Sequence, residues 1–131
     1  MTASVITPGH IQCLRHLVGK GDVVVGLLTD KALKGYKKCP IPYKDRKFVL
    51  DYIALAVEMK HLSRNTIVVK PQEALDCTQN LKRYGCDFIA SGDGFEPAEK
   101  LAADKLGVKL LNIKLRGEKK KKWSSSKILG K

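Results

Sequence analysis

The residues best suited to chemistry come early. Thr7-Pro8-Gly9-His10 follows a short apolar entry, Val5-Ile6, and precedes Ile11, Leu14, Leu17 and Val18 at helical spacing. Pro8 suits the first turn of a helix, where its missing N–H has no intrahelical acceptor to lose. Gly9 lets a ligand come close to the backbone. His10 then projects from the start of the helix, where free N–H groups and the helix dipole favour an anion. The chemistry this predicts is phosphate binding at a strand-to-helix turn. The plainer reading is a helix cap with one exposed histidine.

More polar groups fall where strands of an open α/β sheet are expected to end, which is where such sheets bind ligands. They are Asp30, Lys37 and Lys38, Arg46, Gly92 and Asp93, and a tail with Arg116 and Ser124-Ser125-Ser126. Lysines, arginines, a histidine and a serine cluster suit a triphosphate. Phosphoryl or nucleotidyl transfer needs positioning and charge neutralisation more than a protein nucleophile. The chain has no Gly-x-x-x-x-Gly-Lys-Ser/Thr, no Gly-x-Gly-x-x-Gly and no convincing Ser-His-Asp or Cys-His arrangement. Each position also has a plainer role. Arg46 could pair with Asp45 or Asp51, Asp30 could cap a turn, Asp93 could be turn chemistry, and the serines could cap a helix.

The elements that must position these groups alternate. A first helix is predicted over residues 9–18, stopped by Gly19-Lys20-Gly21. Residues 22–29 form a near-continuous apolar run, the pattern of a strand buried on both faces, with Asp30 at its end. A Lys-rich loop over 31–42 closes at Pro40-Ile41-Pro42. Phe48, Val49, Tyr52, Ile53 and Ala56 then keep a helical period. Residues 66–70 read as a short strand ended by Pro71, and a helix follows with Leu75, Thr78 and Leu81 along one side, ended by Gly85. Residues 87–90 read as a short buried strand, 97–106 as a helix stopped by Gly107, and 108–115 as an edge strand. Alternating strands and helices mean βαβ units and a largely parallel sheet in a single domain, residues 1–131, with a basic tail from about 116.

Composition narrows the class. The chain of 131 residues is 44% hydrophobic, enough for one core. No stretch approaches the roughly 20 apolar residues of a membrane span, and a secretory signal pattern is absent. Cys13, Cys39, Cys77 and Cys86 lie far apart, as expected for reduced thiols in a cytoplasmic protein. The net charge is +12, and residues 105–131 hold ten Lys or Arg against one acid, Glu118. Such a block suggests an anionic partner. Nucleic acid is the less favoured one, because Trp123 is the only aromatic in the tail and a stacking surface needs more.

With these residues in hand, the sequence resembles the nucleotidyltransferases marked by a His/Thr-x-Gly-His turn and a C-terminal Ser/Thr-rich motif. Thr7-Pro8-Gly9-His10 matches the first motif, and Trp123-Ser124-Ser125-Ser126-Lys127-Ile128 is similar to the second, Ile-Ser-Ser-Thr-Lys-Ile. The segments Gly26-Leu27-Leu28-Thr29-Asp30-Lys31-Ala32, Tyr36-Lys37-Lys38 and Tyr43-Lys44-Asp45-Arg46-Lys47 look like the cytidylyltransferase branch. So do Pro71-Gln72-Glu73-Ala74-Leu75-Asp76 and Ser91-Gly92-Asp93. The branch members most similar act on 2-hydroxyethylphosphonate, 2-aminoethylphosphonate or glycerol-3-phosphate. The resemblance runs along nearly the whole chain in one order.

The resemblance implies a Rossmann-like, doubly wound parallel sheet with helices on both faces. Its first strand is apparently truncated, because Met1 aligns just after the family's opening strand. It implies transfer of CMP from CTP to a small phosphonate or phosphate alcohol, with release of pyrophosphate, in a homodimer. His10 would bind the triphosphate and stabilise charge as pyrophosphate leaves. Lys37 or Lys38 would contact phosphates, and Arg46 would hold its loop or a phosphate. Asp93 beside Gly92 lies where the cytosine-nucleotide end is recognised. Ser124 and Ser125 would cap a final helix and bind the triphosphate, with Arg116 close by. Thr7, Gly9 and Asp30 complete the nucleotide site, and Mg²⁺ would bridge CTP oxygens. Thr7 stands where the branch usually has His, Ser4 where it usually has an acid, and Gly92-Asp93-Gly94-Phe95 where it has Gly-Asp-Asp-Trp. Pantetheine-phosphate adenylyltransferases carry Thr at the first of these positions. Adenylyl transfer is therefore the alternative, together with a weakened nucleotide-binding or nucleic-acid-binding module.

Overall fold

A computed structural model describes residues 1–3, 6–36, 38–62, 64–92 and 94–113. Nine elements follow in order: α1 (Pro8–Val18), β1 (Val23–Leu28), α2 (Asp30–Leu33), α3 (Tyr43–Lys60), β2 (Ile67–Gln72), α4 (Thr78–Tyr84), β3 (Phe88–Ser91), α5 (Pro97–Leu106) and β4 (Lys109–Asn112). Strands and helices alternate, and both strand pairings are parallel.

The strands do not assemble into one doubly wound sheet. They form two separate two-stranded sheets, β1–β2 and β3–β4. Each has its own apolar cluster. Leu14, Val18, Val25, Leu27, Leu50, Ala54, Val57, Ile67 and Val69 pack around the first sheet. Leu81, Ile89, Ala102 and Ala103 form the second. On the edge of β1 away from β2, Met1 takes the place of a parallel neighbour. Its amine donates to the Gly26 carbonyl at 2.7 Å, and the Leu28 N–H donates to the Met1 carbonyl at 2.8 Å. These two bonds flank Leu27, the pattern of a single parallel bridge.

Local chemistry fixes most element ends. The Asp22 carboxylate accepts the Thr66 N–H at 2.9 Å and so aligns the starts of β1 and β2. Asn65 donates to the Val18 carbonyl at the end of α1, at 2.7 Å. Gly85 and Gly107 close α4 and α5 with left-handed backbone, φ 59° and 67°, a conformation that costs a side-chain-bearing residue about 1 kcal/mol or more.

Several elements differ from the sequence reading. Asp30 does not end a strand before a loop: it opens α2, one turn capped by the Thr29 hydroxyl, which accepts the Ala32 N–H at 3.2 Å. Strand β2 runs through Pro71 to Gln72. Pro71 directs its carbonyl to the Asn80 side chain, away from β1, so its missing N–H also falls on the free edge and no ladder bond is lost. Leu75 lies before α4 and is exposed. Phe88 is exposed, so β3 buries one side only. The periodic set Phe48, Val49, Tyr52 and Ala56 proves to be the outer face of α3, while Arg46, Leu50, Ala54 and Val57 face the core. No helix among the described residues is long and apolar enough to cross a membrane.

Candidate functional site

The chain passes Met1 in parallel with β1, returns through α1 and re-enters as β1. The N-terminus of α1 and the C-terminus of β1 therefore lie at the same end of the sheet. That end gathers Thr7, Gly9 and His10 on one side and Thr29, Asp30 and Arg46 on the other.

Thr7 is buried and stands as the residue before α1. Its backbone N–H donates to His10 Nδ1 at 3.0 Å, and its hydroxyl lies 3.2 Å from the same nitrogen. A backbone amide can only donate, so Nδ1 is an acceptor there. In neutral imidazole one ring nitrogen accepts and the other carries the proton. The neutral ring therefore has its N–H at Nε2. His10 occupies the third helical position, where a glutamate usually makes this reciprocal bond to the capping residue. The contact orients the ring and sets its tautomer. Gly9, in the same first turn, is half-buried.

Arg46 is the most constrained polar residue here. Its side chain is 0% exposed, although it carries a charge. Nε donates to the Ile41 carbonyl at 2.9 Å, and Nη1 donates to the carbonyls of Thr2 and Leu28 at 2.8 Å each. Nη2 donates to Asp30 Oδ1 at 2.9 Å. The planar fork reaches four acceptors from four segments, which a lysine could not do. Burial of the charge is tolerated because these bonds replace its hydration. Arg46 thus holds its loop, the end of β1 and the start of α2 together, and one Nη2–H remains outside this set. Its acid partner is Asp30, sixteen residues away, and neither Asp45 nor Asp51; Asp51 pairs instead with Lys47 at 2.7 Å.

Asp30 has a second task. The same Oδ1 accepts the Tyr43 N–H at 2.9 Å, at the first residue of α3. The carboxylate sits where free N–H groups and the helix dipole favour negative charge. It remains 62% exposed. Tyr43 lies beside the clamp, with the Arg46 guanidinium carbon 5.8 Å from its ring centre, and partial burial raises its phenol above the ordinary value. An open depression of about 400 Å³ adjoins this corner, lined by Asp30, Leu33, Lys34, Gly35, Cys39, Pro40 and Pro42.

Lys38 is exposed in the connection from α2 to α3. Gly92 follows β3 in the second sheet. Lys37, Asp93, Arg116, Ser124 and Ser125 lie outside the described residues, as do Ser4 and the basic tail. The structure thus brings together Thr7, Gly9, His10, Asp30 and Arg46 at one end of β1, and gives Gly92 a place on a different sheet. Two contributors at this corner escaped the sequence reading. Thr29 caps α2, a role signalled by Thr-Asp before a helical turn. The carbonyl of Ile41 anchors Arg46, and no sequence signal marks a carbonyl acceptor.

Among the described residues no group of three or more His, Cys, Asp or Glu is placed to hold a metal ion. Cys13, Cys39, Cys77 and Cys86 are unbridged. Burial pushes the Cys77 and Cys86 thiols above their ordinary range. The chain matches no protein-family model, and no curated protein matches it.

Proposed function

We propose that this protein is a nucleotidyltransferase that moves CMP from CTP to a small phosphonate or phosphate alcohol. The observation that carries this reading is the Thr7–His10 contact, which turns a donor nitrogen outward at the start of α1. A fixed Nε2–H can bind a phosphate oxygen without any proton uptake, and the first turn of α1 adds its free backbone N–H groups. The Arg46 clamp fixes the end of β1 next to that turn. The motif resemblance along the chain supplies the class of reaction.

In this reaction an acceptor oxygen attacks the α-phosphorus of CTP. The new P–O bond forms as the bond to the β-phosphate oxygen breaks, and pyrophosphate leaves with the electron pair. His10 donates to a phosphate oxygen as charge develops on the leaving group. Lys37, Lys38, Arg116, Ser124 and Ser125 supply further phosphate contacts in this reading, and Asp93 with Gly92 meets the nucleotide end. Asp30 has one carboxylate oxygen outside the latch to Tyr43 and Arg46. Mg²⁺ arrives on the CTP oxygens and neutralises their charge, since it keeps few protein ligands at such sites. Transfer from ATP is the second reading, carried by Thr7 at the first motif position.

The test is pyrophosphate release with Mg²⁺ and either CTP or ATP, against glycerol-3-phosphate, 2-aminoethylphosphonate, 2-hydroxyethylphosphonate and phosphopantetheine. Release with CTP and one acceptor, lost in His10→Ala, is the expected result. Release with ATP alone moves the assignment to adenylyl transfer. Silence from folded protein that still binds nucleotide leaves a binding module and overturns the enzyme reading.

A further inference from the structure

Helix α3 is apolar on two sides. Leu50, Ala54 and Val57 lie in the core. The opposite side carries Phe48, Val49, Tyr52, Leu55, Ala56 and Met59, all exposed. Phe48 is 63% exposed, Tyr52 64%, Leu55 51% and Met59 67%. Steps of four, three and four residues put these four on one continuous stripe. The rings of Phe48 and Tyr52 already touch, with centres 5.1 Å apart. A helix that is apolar all round is normally covered on both sides.

We infer that this stripe pairs with the same stripe of a second copy of the chain, the two α3 helices running antiparallel. Area is the first argument. At this exposure each large side chain leaves on the order of 100 Å² uncovered. Two stripes of six residues then bury roughly 1,000 Å² before any rim is counted, close to the ~1,200–2,000 Å² of a stable interface.

Self-complementarity is the second argument. A two-fold axis between Tyr52 and Leu55 sets Tyr52 against Leu55 of the second copy, and Phe48 against its Met59. Exposed Asp45 at one end of the helix then approaches exposed Lys60 of the second copy. A parallel pairing would instead set Asp45 on Asp45 and Lys60 on Lys60, which costs energy. Only the antiparallel arrangement closes as a two-fold dimer with the charges matched. The pairing stands apart from the nucleotide reading: mass reports one and pyrophosphate the other.

The test is sedimentation or light scattering of the full chain, wild type and with Tyr52→Glu or Leu55→Lys. The wild type is expected at twice its chain mass of 14.5 kDa. Each variant alone is expected to dimerise about 100-fold more weakly while keeping its helical signal. An equimolar mixture of the two is expected to regain the dimer, because the antiparallel register sets the two changed positions against each other. If either variant loses its helical signal, Met59→Glu at the end of the stripe takes its place under the same weakening criterion. A monomeric wild type overturns the inference, whether residues 114–131 or solvent cover the stripe. So does a folded variant that stays fully dimeric, or a mixture that stays monomeric.

Discussion

The Asp30 carboxylate and the Arg46 guanidinium meet at 2.9 Å, one partner 62% exposed and the other wholly buried. The asymmetry divides the energetics. An ion pair with one exposed member contributes little through charge alone. Arg46 matters chiefly because the carbonyls of Thr2, Leu28 and Ile41 depend on it.

Arg46→Ala is expected to destabilise the fold by about 3 kcal/mol, since it strips partners from three carbonyls and opens a cavity. Asp30→Asn keeps an acceptor for both the Tyr43 N–H and Arg46, and is expected to cost less than about 1 kcal/mol. Urea denaturation of the two variants checks this. Equal losses would mean that the charge, and not the carbonyl network, holds the corner.

Neutral His10 is expected to be the Nε2–H tautomer. Nitrogen chemical shifts of the ring in a two-dimensional NMR experiment read this directly. An Nδ1–H ring would contradict the Thr7 N–H contact and remove the outward donor on which the proposed function rests.

Gly26 leaves room for Gln72. A Cβ at position 26 would collide with Gln72 Oε1. That side chain also donates through Nε2 to the carbonyls of Ala74 at 2.9 Å and Leu75 at 3.3 Å. Gly26→Ala is therefore expected to cost about 1–2 kcal/mol, by displacing Gln72 from the turn before α4. In the Gln72→Ala background the same change is expected to cost clearly less. A double-mutant cycle by chemical denaturation tests the coupling.

Asp76 caps α4. Its carboxylate accepts from the Thr78 hydroxyl at 2.5 Å and the Thr78 N–H at 2.9 Å, and these bonds hold its pKa below the ordinary 3.8. A depressed folded pKa adds stability that is present above the unfolded value and is lost as pH falls through the folded one. Asp76→Ala is expected to cost about 1 kcal/mol at neutral pH. The gap between variant and wild type is expected to narrow below pH 3.8. A gap that is constant with pH would show that charge has no part in the cap.

Local signals in the sequence placed most elements. Pro97 at the start and Gly107 at the end bounded α5, because a missing N–H and a left-handed backbone act within one turn. Gly85 ended α4 for the same reason. The apolar runs at 23–28 and 67–69 identified parallel partners through their burial pattern. Thr7 to His10 stood out as a helix start with a phosphate-binding composition.

What the sequence by itself determined about this protein was thus its alternation of strands and helices, its parallel pairings, and the turn that opens α1. Tertiary structure decided the rest, because those choices turn on contacts between distant segments. Strand order depends on which edges meet, and the strands met as two pairs instead of one sheet. The face that α3 buries could not be read from a helix apolar on both sides. The role of Arg46 depended on carbonyls from Thr2 and Leu28, 44 and 18 residues away. Burial of a charge is settled by the acceptors that folding delivers, and neither spacing nor composition encodes where those acceptors will be.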